Sequence, residues 1–82
     1  MIDTGDRHPD VQSLARWLTP NPGLPDAALS VSILCSGLAE HMITALPDGP
    51  ELVAGLRRLL EAKDCFVRAT IARDAAGPQG PR

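Results

Sequence analysis

The chain has no tyrosine, a single tryptophan and a single phenylalanine, so aromatics make up only 2% of it. Any core must therefore be built from Leu, Ala, Val and Ile, which pack well between helices but contribute less area per side chain than aromatic rings. Closely spaced cysteine pairs are also missing: Cys35 and Cys65 stand far apart, and with His8 and His41 they do not make the paired spacing of a structural zinc site. Both cysteines fall inside apolar helical patterns, so they read as two buried thiols, with a disulfide between them as the lesser alternative. No Gly-rich phosphate loop, His-Glu-x-x-His or nucleophile elbow occurs. His41 beside Glu40 reads as a solvated helix face, and nothing else suggests a base; the sequence predicts no enzyme, no metal and no cofactor.

Charge of one sign is scarce as well. Eight basic against ten acidic residues leave a net charge of −2, and residues 26–46 contain no Lys or Arg at all. That balance lacks the footprint of a DNA-binding or anionic-membrane-binding protein. Ser, Gly, Glu and His interrupt every apolar stretch, which predicts that none reaches the roughly 20 residues of a membrane span. The polar, acidic start of the chain does not resemble a secretion signal. A soluble protein in a reducing cytoplasm is the expectation.

What is present is helical periodicity. Residues 1–7 and 75–82 carry none and read as disordered tails around one domain over 8–74. A short amphipathic helix is predicted over 8–18, with Pro9 in its first turn and Val11, Leu14, Ala15 and Leu18 on one face. Three prolines and a glycine make 19–25 a stiff connection. A second helix over 26–46 carries Val31, Leu34, Cys35, Leu38, Met42 and Ala45 on one stripe and Leu29, Ile33 and Ile43 on another. Ser32, Ser36 and Gly37 lie between. Gly37 in mid-helix costs about 1 kcal/mol relative to Ala, which predicts a close approach to its backbone.

Pro47-Asp48-Gly49-Pro50-Glu51 ends that helix, and Asp48 with Glu51 reads as a capping box for a third helix over 50–74. So short a connection makes the two helices antiparallel. The fold class is thus all-α, a short N-terminal helix followed by an antiparallel helical hairpin. The third helix has two apolar faces: Val53, Leu56, Leu60, Val67 and Ile71 on one, and Leu52, Gly55, Leu59, Ala62, Phe66 and Ala69 at seven-residue spacing on the other. A chain of this length buries only about 60 to 65% of its unfolded surface and needs a staple. With disulfide and metal set aside, a homo-oligomer remains, with Leu52, Leu59, Phe66 and Ile33 as candidate interface residues.

Among the charges, Asp64 with Arg68 and Arg57 with Glu61 are favourable helix neighbours. Arg57, Arg58, Glu61 and Lys63 read as a solvated face. Arg68 and Arg73 lie near the helix end, where a basic pair either complements the helix C-terminus or grips an anion. Trp17 is either a core or interface anchor or a platform on which a base stacks.

Leu46-Pro47-Asp48-Gly49-Pro50-Glu51, the run Leu56-Arg57-Arg58-Leu59-Leu60-Glu61-Ala62-Lys63-Asp64, and Ala69-Thr70-Ile71-Ala72-Arg73 resemble the helical-hairpin domain of phage-encoded cyclic-nucleotide sponges. Close variants ending in Leu-Leu-Glu-Ala-Lys-Asp recur among small proteins of actinobacterial phages. Such proteins sequester the cyclic signals of anti-phage immunity of the CBASS and Thoeris type. The resemblance covers residues 37–73 well and 8–36 loosely. It implies a hairpin oligomer, often a hexamer, that holds a cyclic oligonucleotide or related nucleotide between subunits and does no chemistry on it. It further implies that Arg73 faces the phosphates, with Arg68 and Thr70 a turn before it, and that Trp17 stacks on a base. The chain departs from the pattern at Thr19, where the family has tyrosine, and in the missing cations of 26–46. Those departures imply either the loss of one class of pocket or a ligand other than the usual ones.

Overall fold

A computed structural model describes residue 2 and residues 4–76, with side-chain surroundings through Arg73. The described residues form three helices and no strand: α1 (Pro9–Leu18), α2 (Asp26–Ala45) and α3 (Pro50–Ala76). Residues 77–82, which fall in the expected C-terminal tail, lie outside the described residues, whereas Ala75 and Ala76 continue α3.

Each helix boundary has a local cause. His8 caps α1, its Nδ1 accepting the Asp10 amide at 3.1 Å, and Pro9 occupies the first helical position, where its missing N–H is no loss. Thr19 closes α1 by donating both its amide and its hydroxyl to the Ala15 carbonyl. In the connection, the Asn21 side chain accepts the Gly23 amide at 2.9 Å, a turn that asparagine favours. α2 ends one residue earlier than expected because Leu46 precedes Pro47 and is driven into extended conformation.

The expected capping box does not form. α3 starts at Pro50, which makes Gly49 the capping residue, and both oxygens of Asp48 are engaged elsewhere. Oδ1 accepts the Arg7 guanidinium at 2.7 Å and Oδ2 accepts the His8 amide at 3.1 Å. The remaining Arg7 donors reach the carbonyls of Ile43 and Leu46, satisfying acceptors that the end of α2 leaves open. The described residues before α1 form no helix, but Ile2 is 5% exposed in the core and Arg7 is bonded across the α2–α3 connection.

These contacts set α1 alongside α3. His8 lies at the start of α3, and at the other end of α1 the Trp17 carbonyl accepts the Lys63 ammonium at 2.8 Å. Between them Val11, Ala15, Leu18, Ala39, Ile43, Leu52 and Leu56 close the core with Ile2. The most extensive helix contact is α2 on α3. Here the face of α2 differs from the expected stripes: Ala28, Ser32, Cys35, Ser36, Ala39 and Ile43 are buried, while Leu34 is 72% exposed and Leu38 and Ile33 about half exposed. Small side chains allow close backbone approach, so the seam runs through Ser32 and Ser36, which lay between the two expected stripes, and takes only Cys35 and Ile43 from the stripes themselves. Apart from its own stretch of α2, nothing among the described residues comes within 4 Å of a Cβ placed on Gly37, so the close approach expected there is not made by another element.

Candidate functional site

Of the residues singled out for a ligand, Trp17 lies in α1, and Arg68, Thr70 and Arg73 lie on the part of α3 beyond the end of α1. Arg68 is exposed, and its guanidinium donates to Cys65 Sγ at 3.4 Å; the expected pair with Asp64 does not form, since Asp64 lies 3.6 Å from Lys63. Likewise Glu61 meets Arg58 at 3.8 Å and not Arg57. Thr70 is half-buried, with its hydroxyl proton donated to the Val67 carbonyl at 2.7 Å, which leaves the oxygen able to accept. Arg73 is exposed in the last turns of α3, where it complements the negative end of the helix.

At 100° per residue, Thr70 and Arg73 lie about 60° apart and share a face, while Arg68 is turned about 140° from Arg73. Trp17 is 66% exposed and sits by Lys63, roughly 15 Å along α3 from Arg73 at 1.5 Å per residue. A single chain therefore brings Thr70 and Arg73 together and leaves Arg68 and Trp17 apart from them. The candidate interface residues divide as well. Phe66 and Ile33 are more than half exposed and Leu59 is partly buried, but Leu52 is 7% exposed and belongs to the core of its own chain, a correction forced by its packing between α2 and α3.

Cys65 is exposed, contrary to expectation, and Cys35 is buried; both are free thiols. Burial pushes the Cys35 thiol above its ordinary value, opposed by the charge of nearby Lys63, so this thiol is protonated and unreactive at neutral pH. Lys63 is the residue that the sequence reading missed. Assigned to a solvated face, its side chain is only 14% exposed and ties α3 to the last turn of α1. The signal was its spacing, seven residues from both Leu56 and Thr70 on the inward side of α3.

Two concave surfaces lie nearer the start of α3. An apolar groove of about 210 Å³ runs between α2 and α3, lined chiefly by Leu38, Met42, Leu46, Leu52, Gly55 and Leu59. A more open cleft of about 460 Å³ is bounded by His8, Asp10, Val53 and Arg57. Neither includes Arg68, Thr70 or Arg73. By length and composition α2 is apolar enough to cross a membrane, with about a third of it buried in the fold; only Asp26 and Glu40 are charged, and the interruptions expected to exclude such a span are too mild to do so. No family model, no curated protein and no solved structure matches the chain.

Proposed function

We propose that the chain is a non-enzymatic sponge, an antiparallel hairpin of α2 and α3 with α1 laid against it, that holds a cyclic oligonucleotide or related signalling nucleotide between copies of itself in the host-cell cytoplasm. The observation that carries this reading is the composition of the outer part of α3. Exposed Ile71 stands one turn from Arg68, and half-buried Thr70 one turn from Arg73, so apolar, polar and cationic groups are presented together without walls to enclose a ligand. A nucleotide needs both, a flat surface for its bases and donors for its phosphates. Assembly of several copies supplies the missing walls and brings Trp17 and Arg68 of different chains to one ligand.

Thermal unfolding against cyclic di- and trinucleotides and cyclic ADP-ribose isomers tests the reading. A ligand that binds only the native state at a hundredfold excess over its Kd stabilises it by about 2.7 kcal/mol. One ligand should raise Tm, and Arg73→Ala should remove the rise. If no ligand shifts Tm in a folded oligomer, the second reading stands: a hairpin module for protein interaction. That reading is favoured by the seven large apolar side chains exposed on a single small chain, namely Trp17, Ile33, Leu34, Leu38, Leu46, Phe66 and Ile71.

A further inference from the structure

Leu52, Gly55, Leu59, Ala62, Phe66 and Ala69 alternate large and small side chains along one face of α3. Near the start of this series Gly55 borders the apolar groove, and a Cβ placed on it meets nothing within 4 Å. Near its end Phe66, the only phenylalanine, stands 55% exposed. The two are eleven residues apart, about 16 Å along the axis and within about 20° of the same face. A helix cannot insert its own Phe66 into a groove on that same helix, but a second copy can.

We propose that this face is covered by a second copy of the chain, related by a two-fold axis with the two α3 helices antiparallel, so that Phe66 of each copy enters the groove beside Gly55 of the other. Setting Phe66 against Gly55 fixes the register, and the same register sets Leu59 against Ala62 and Leu52 against Ala69. Every large residue then meets a small one, as close packing requires. A parallel pairing in register would put Phe66 on Phe66 and Gly55 on Gly55, giving a clash and a void. The antiparallel contact is isologous and closes on itself. Leu52, buried within its own chain, serves as part of the groove floor. Glu51 is the one charged residue bordering the groove, and it is exposed at the rim, where it keeps its water when the copies meet. The contact also accounts for a glycine in mid-helix, which weakens the helix and has no partner within the chain.

The contact involves no nucleotide, so it is measured without one and fails or holds separately from the proposed function. Sedimentation of the full chain across the micromolar range should show self-association. Phe66→Ala should raise the Kd by at least about thirtyfold, as expected for an aromatic anchor. Gly55→Leu should abolish association while leaving helix content unchanged and removing the concentration dependence of the unfolding temperature, because it fills the groove without weakening the helix. In a background with Cys35 and Cys65 replaced by serine, Gly55→Cys mixed with Phe66→Cys should form a disulfide between copies faster than either alone. A wild-type monomer throughout, a Gly55→Leu variant that associates as tightly as wild type, or Phe66→Cys cross-linking preferentially to itself would each overturn the proposal.

Discussion

Where α1 lies against α2 and α3, from the α2–α3 connection to Lys63, three helices meet, and the largest buried side chains are Val11, Leu18, Ile43 and Leu56. Towards the far end of the molecule α1 has stopped at Lys63, and what is buried between α2 and α3 is Ala28, Ser32 and Cys35. The large residues there, Ile33, Leu34, Phe66 and Ile71, point outward. The same apolar composition thus does two jobs. At the connection it closes a core, and at the far end it makes a thin seam and a greasy exterior. One end closes on itself and the other leaves its large apolar side chains exposed.

The contrast can be broken by substitution, and the largest effect belongs to the closed end. Leu56→Ala removes a 2% exposed side chain from the centre of the core and should lower unfolding free energy by about 2–5 kcal/mol in urea titration. Arg7→Ala should cost about 1–2 kcal/mol, since it removes the grip on Asp48 and the end of α2 from a partly exposed site. That site is also acid-sensitive. Hydrogen bonding by Arg7, helped by the His8 amide, holds the Asp48 carboxyl below its ordinary value. Because the folded value is the lower one, the contribution is complete above an unfolded carboxylate's pKa of about 4 and is lost as pH falls through the folded value. Asp48→Asn should flatten this acid branch of the stability profile. The smallest effect is expected at the open end, where Leu34→Ser should stay within about 0.5 kcal/mol of wild type in dilute solution. If Leu34→Ser proved as damaging as Leu56→Ala, the far end would already be covered and the comparison would fail.

The three helices were legible because their signals are local: Pro9, the proline-rich 19–25 segment and Pro47 each act on the backbone nearby. The inward face of α1 was legible too, since Val11, Ala15 and Leu18 are its largest periodic signal and are all buried. The face of α2 was not. Periodicity weighs side-chain size, and this helix buries Ala28, Ser32 and Ser36 while turning Leu34 outward. Nothing local distinguishes a serine that eases helix approach from one that faces water. Arg7 and Asp48 were hidden for a different reason, because forty-one positions separate them and their contact exists only after the helices have assembled. For the candidate site, Thr70 and Arg73 share a face by spacing alone, whereas the position of Trp17 beside Lys63 depends on how α1 lies.

The same long-range grip bears on the order in which the protein is made. Ile2 and Arg7 are synthesised some forty residues before Ile43, Leu46 and Asp48, and Leu56 is made later still. At ribosomal speeds of about 5–20 residues per second, the leading segment waits seconds with its apolar and charged groups unmet. α1 is too short to be stable alone in that interval. The closed end therefore cannot be completed from the first helix onward; it needs the α2–α3 connection and the first turns of α3 that follow it.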